Sequence, residues 1–269
     1  MRSSVAERAM PRNAARSPWL LAVIVLTGTA ALWWHGPIAQ WASYHAFADA
    51  RAWLAVPNAA NVLSNLPFAL IGLVGLWRLS GSALQPDPTR AAWRVFSVAV
   101  TCTALGSALY HWAPTNASLV LDRLPIAWAC AALLCALLAE RVDTRWGSAP
   151  ALCSAMAIAS LSVVYWWATE QRGHGDLRAY LWVQFLPMVL VPAVLGLKMP
   201  AIAQHAVSAT AWWGVLALYG TAKLMEVADQ ALFAATGVVS GHTLKHLLAA
   251  AGAAWLLHAA TRTGSAQLR

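Results

Sequence analysis

Eight stretches of about 20 apolar residues, each nearly free of charge, recur along the 269-residue chain. An α-helix rises ~1.5 Å per residue, so each stretch can cross the ~30 Å hydrocarbon core of a bilayer. A soluble domain of this length has no interior large enough to hide eight such helices, and lipid is the solvent that accepts them. The runs fall at about 19–34, 58–79, 92–112, 118–140, 149–169, 179–197, 208–229 and 241–260. Short links separate them, such as Gly81-Ser82, Pro86-Asp87-Pro88 and Gly173-His174-Gly175-Asp176. The expected fold class is therefore all-α, a polytopic membrane helix bundle.

Composition narrows the function classes. Charged residues make up 10% of the chain, against roughly 25% in a soluble domain. The 16 tryptophans suit the two bilayer interfaces, where amphipathic aromatics gather. A net charge of +8 does not point to nucleic acid, because no Lys/Arg patch is interleaved with stacking aromatics. Cys102, Cys130, Cys135 and Cys153 all fall inside runs without CxxC spacing and read as small apolar residues, not as disulfides.

The basic residues lie between the runs and carry an orientation signal. Arg2, Arg8, Arg12 and Arg16 precede the first run, which reads as a retained anchor because its small residues make a poor signal-peptide cleavage site. With that tail in the cytoplasm, twelve of the 18 Lys and Arg residues fall on the cytoplasmic side, as the positive-inside bias requires. Both termini are then expected in the cytoplasm.

Ionisable side chains inside spans are costly and mark function. Ser107 and His111 stand four apart near the end of the third run, and Asp122 near the start of the fourth. Glu226 and Asp229 close the seventh run, while His242, Lys245 and His246 open the eighth. All map to one depth, toward the non-cytoplasmic side. His242 and His246 are i,i+4, so both imidazoles project from one helix face, the spacing by which a helix offers two ligands to one metal. The Glu of the HExxH protease pattern is absent from His242-Thr243-Leu244-Lys245-His246.

The stretch Pro114-Thr115-Asn116-Ala117-Ser118 reads as a helix-to-helix turn, with Asn or Ser capping the outgoing helix. His111 and Asp122 are about equally far from it, each roughly 8 Å below at helical rise. A hairpin brings them level with each other and with the His pair. Three His with one open position is the catalytic form of a zinc site. A carboxylate can move the water proton and a hydroxyl can stabilise an oxyanion, so the set suits hydrolysis of an amide or ester from the bilayer. Lys245, Glu226 and Asp229 read as supporting residues around that site or as a structural ion pair. His35, His45, His174, His205 and His258 are set aside as loop, flanking or distant residues.

Three separated motifs resemble the alkaline ceramidases, seven-helix membrane amidases related to the progestin/adiponectin-type receptors. They are Asn61-Val62-Leu63-Ser64-Asn65-Leu66-Pro67, Gly106-Ser107-Ala108-Leu109-Tyr110-His111 with Leu121-Asp122-Arg123-Leu124-Pro125, and Gly241-His242-Thr243-Leu244-Lys245-His246. The likeness divides the chain into a basic tail and anchor helix (1–40), a seven-helix domain (41–260) and a short tail (261–269). It implies zinc on His111, His242 and His246, Asp122 as acid/base group and Ser107 as a transition-state donor. The implied substrate is a membrane ceramide, cleaved to fatty acid and sphingoid base.

Two departures qualify the likeness. Arg123 stands where eukaryotic members carry a second acidic residue, which puts the head-group contacts in question. Those members also bind calcium through an acidic segment, whereas residues 49–58 here hold one carboxylate, Asp49. Calcium takes six to eight oxygens, so that site is expected to be lost or weak. The rival reading is a receptor-like or lipid-binding protein with a structural zinc. A transporter fits less well, since paired broken helices are lacking.

Overall fold

A computed structural model of the protein describes residues 17–81 and 87–262. Arg2, Arg8, Arg12, Arg16, Ser82, Pro86 and Arg269 lie outside the described residues. The helices run α1 (Ser17–His35), α2 (Ala59–Leu63), α3 (Leu66–Ser80), α4 (Arg90–Trp112), α5 (Asn116–Arg141), α6 (Ala149–Glu170), α7 (Arg178–Gly196), α8 (Ala209–Val227), α9 (Asp229–Thr236) and α10 (Gly241–Arg262). Helices α2 and α3 together make one span, interrupted at Ser64-Asn65 because Pro67 in the first turn of α3 has no N–H for the ladder.

Among the described residues, six spans are long and apolar enough to cross a membrane, not the eight expected. The other two, α8 and α10, have 19 and 22 residues and so the length. They fall short in hydropathy because they carry Lys223 and Glu226, and His242, Lys245 and His246. Lys245 of α10 pairs with Glu226 of α8, while His242 and His246 turn inward to His111 on α4, so these polar groups are sheltered within the bundle as lipid demands.

Helix boundaries differ from expectation at two functional points. Thr115, not Asn116 or Ser118, is the N-cap of α5. Its hydroxyl accepts the Ser118 N–H (3.1 Å), while the Ser118 hydroxyl accepts the Thr115 N–H (3.0 Å), a reciprocal capping box. The seventh run ends at Val227, and Asp229 starts the separate helix α9. The tryptophans also divide. Most of the exposed ones suit an interface, but Trp93, Trp166 and Trp212 are fully buried and build the core.

The hairpin α4–α5 is the centre of the bundle. Helix α3 packs on α4 and α10, α8 on α10, and α6 and α7 on α5. The site residues His111, Asp122, Glu226 and His242 all lie at the end of the bundle where α4 meets α5 and α8 meets α10. At the other end, Arg90 and Arg94 both donate to the Leu79 carbonyl (2.9 and 2.7 Å), satisfying the C-terminus of α3. There the carbonyl of buried Glu140 accepts from Ile202 N (2.8 Å), docking the α7–α8 loop.

Helix α1 joins the rest mainly through α7. The Asp176 carboxylate accepts from Ile38 N (3.3 Å), from the Tyr165 hydroxyl (2.8 Å) and from the Arg178 guanidinium (2.7 Å). Arg178 in turn donates to the Trp33 carbonyl (3.0 Å) and stacks over the Trp33 ring. Burial of Asp176 raises its pKa, but these donors outweigh it and hold the carboxyl down at about 2. A carboxylate depressed from an unfolded value near 3.8 stabilises the fold above that pH and loses the contribution as pH falls toward 2. Asp176→Asn should cost on the order of 2 kcal/mol at pH 7 and flatten the loss of stability between pH 4 and 2. Thermal unfolding in detergent across that window checks it, and an unchanged acid limb would refute the account.

Candidate metal centre

Two close approaches bring the site helices together. Pro125 leaves the Leu121 carbonyl without its helical donor, and that carbonyl points at Gly106, where a side chain would collide with it. The backbone of α5 next to Asp122 therefore lies directly against the Gly106-Ser107 turn of α4. Gly241 plays the same part for α10, since a Cβ there would meet the Met225 carbonyl and the Asp229 backbone. The N-terminal turn of α10 is thereby seated on the α8–α9 junction.

Asp229 satisfies that turn. Its carboxylate accepts the His242 N–H (2.7 Å) and the Ala48 N–H (3.0 Å), so it caps α10 and ties down the preceding loop. It makes no ion pair among the described residues. Glu226 does, with Lys223 (2.7 Å) and Lys245 (2.8 Å). Glu226 and Lys245 thus form an ion pair, whereas Asp229 accepts from backbone N–H groups.

Ligand nitrogens of His111, His242 and His246 all lie within 4.8 Å of one another, and all three residues are buried. The ring centroids form a near-equilateral triangle with sides of 4.8, 4.9 and 4.9 Å. His111 Nε2 and His242 Nε2 approach to 3.3 Å. A tetrahedral ion with metal–nitrogen bonds of ~2.0–2.1 Å sets neighbouring ligand nitrogens about 3.3 Å apart. At His246 the tautomer is set from behind. The Ser64 hydroxyl donates to the Asn61 carbonyl (3.0 Å) and faces His246 Nδ1 (2.8 Å), so its oxygen takes that ring proton. The Nε2 lone pair is left for a ligand bond. Three neutral imidazoles turned inward on one point fit a metal ion and have no better hydrogen-bonding use.

The surroundings hold residues that spacing alone did not reveal. Thr243 donates to Asn61 Oδ1 (2.9 Å), which locks the Asn61–Ser64 turn to α10. The Phe47 ring covers His111 (4.6 Å) and His242 (5.0 Å) from one side. His45, set aside on sequence, bonds the Tyr110 hydroxyl (3.0 Å) and Asn116 Oδ1 (2.9 Å) behind the site. The repeated polar residues of Asn61-Val62-Leu63-Ser64-Asn65 were the available signal for the first group. The loop residues had none.

Asp122 and Ser107 lie side by side, and Asp122 Oδ1 is buried without a hydrogen-bond partner. Both line a cavity of about 210 Å3 that His246 also borders and that continues past Phe68, Phe96 and Leu133 into the apolar bundle. Arg123 turns away from this cavity. Its guanidinium sits 4.0 Å over the Trp166 ring and bonds Gln40, a structural anchor for the segment after α1.

Asp49, the carboxylate of the 49–58 stretch, is chelated by Arg51 through Oδ1 and Oδ2 (both 2.8 Å), and this pairing lowers its pKa. Arg51 also donates to the Gly237 (3.0 Å) and Val238 (2.7 Å) carbonyls. A guanidinium thus occupies this cluster of oxygens.

No curated protein matches the chain in a sequence comparison. The family model described as Ceramidase matches residues 54–263, from the loop before α2 through the end of α10. That match takes in every element bearing the His group, Asp122 and Ser107, and the chain belongs to the ceramidase family.

Proposed function

We propose that the protein is a zinc-dependent hydrolase that cleaves the amide bond of a ceramide-like membrane lipid to a fatty acid and a sphingoid base. The observation that carries this reading is a cavity extending into the apolar interior that is bordered by Asp122, Ser107 and His246, the last a member of the buried His group. A purely structural metal has no need of a buried carboxylate oxygen without a partner or of an apolar chamber beside it.

His111, His242 and His246 would hold the ion, and zinc suits three imidazoles with one open position. When bound, zinc supplies Lewis acidity and lowers the pKa of a coordinated water to ~7. Asp122 accepts a proton at its free Oδ1 and returns it to the leaving nitrogen. The Ser107 hydroxyl donates to the carbonyl oxygen as negative charge develops there. Phe47 and the apolar walls keep bulk water from the reacting amide. Calcium has little part in this scheme, because Arg51 already compensates Asp49. Both termini face the cytoplasm and the site faces the opposite side.

Incubating the detergent-purified protein with a panel of acyl amides and esters, followed by mass spectrometry, tests the reading. Release of fatty acid and sphingoid base from ceramides is expected. A metal-loaded protein that turns over no member of the panel would favour a receptor-like role with structural zinc.

A further inference from the structure

One corner of the cavity holds more hydrogen-bond donors than its walls can use. Glu226 on α8 accepts from Lys223 at one oxygen (2.7 Å) and from Lys245 on α10 at the other (2.8 Å). Each ammonium group carries three N–H donors. Each spends one on Glu226, and neither makes another hydrogen bond among the described residues. The Tyr219 hydroxyl, one turn before Lys223, is buried on the same wall beside Gln184. These residues line the same cavity as Asp122 and Ser107.

One lysine is enough to neutralise Glu226, so the second is surplus charge in a setting where unpaired charge is expensive. Asp122 offsets that surplus, but a divalent ion on three neutral imidazoles adds two further positive charges. The loaded cavity is therefore cationic and rich in free donors next to the reacting position. Lys223 is the more exposed of the pair, 34% against 19% for Lys245, and so is the one a ligand meets first.

We infer that the Lys223–Glu226–Lys245 cluster, with Tyr219, binds an anionic head group, and that the substrate is an N-acyl lipid carrying a carboxylate or phosphate close to its amide. Glu226 holds the two lysines together at the cavity wall, with the Lys223 ammonium also near the Phe185 and Tyr219 rings (5.7 and 5.9 Å). The inference rests on the amidase reading for the reaction but stands on separate residues.

The test uses three lipids of one acyl chain on the metal-loaded full chain: a ceramide with a neutral diol head, an N-acyl amino acid, and a ceramide bearing a phosphate monoester. Binding is followed by tryptophan fluorescence and hydrolysis by mass spectrometry. At least one anionic lipid should bind about tenfold tighter than the neutral one, which corresponds to ~1.4 kcal/mol. Whether carboxylate or phosphate leads identifies the source of the charge. Lys223→Met should bring the anionic-to-neutral ratio close to one, and Lys223→Arg should restore most of it. Equal wild-type affinity for neutral and anionic heads would overturn the inference whether or not the variants fold. Tight binding of an anionic lipid with no hydrolysis of any would instead overturn the amidase reading alone.

Discussion

Purified protein carrying both His242→Ala and His246→Ala is expected to retain less than about a tenth of the zinc bound by the wild type, which should hold about one ion per chain. Two of the three ligands come from this one turn of α10, and the remaining imidazole of His111 cannot hold an ion by itself. Alanine is a strong helix former, and the seating of α10 through Gly241 and Asp229 does not involve the two rings. Helical content by circular dichroism should therefore stay near wild type while metal analysis shows the loss. Near-stoichiometric zinc in the double variant would refute the ligand assignment.

Asp122→Asn should do the reverse, keeping the metal and removing the activity. Asparagine preserves the shape of the side chain but cannot accept and return a proton, and general acid–base groups contribute about 10²–10⁴ in rate. Fatty-acid release from ceramide should fall about 1,000-fold with zinc content unchanged, because Asp122 lies outside the His group. Undiminished turnover would take Asp122 out of the acid/base role. The two variants together separate loss of the ion from loss of the proton carrier.

The helices were legible from the sequence because hydropathy is a local property. A run of about 20 apolar residues must hydrogen-bond its own backbone in lipid, whatever surrounds it. Helices α8 and α10 form where the runs predicted them but are less apolar than the other six spans, and Glu226 of one and Lys245 of the other shelter each other. The His group was legible through the i,i+4 spacing of His242 and His246 and through the turn that levels His111 with Asp122. The supports were not. Ser64 lies 182 residues from His246, and Asp229 spends its carboxylate on backbone N–H groups from two directions. His45 and Phe47 sit in a loop without periodicity, so nothing in their neighbours marks them as wall residues of the site.

By itself the sequence determined which segments are helical and how far along each helix every polar side chain lies, because a fixed rise per residue converts position into depth. It placed the His group, Asp122, Glu226 and Lys245 at one level of the bundle. Only the tertiary structure decided which helices stand next to one another and how each is rotated. Gly106 against the freed Leu121 carbonyl sets the contact of α4 with α5, and Gly241 against the α8–α9 junction sets that of α10. Depth follows from chain geometry, but rotation follows from packing between distant segments. That packing is what brings three imidazoles to one point and sets Lys245 on the carboxylate of Glu226.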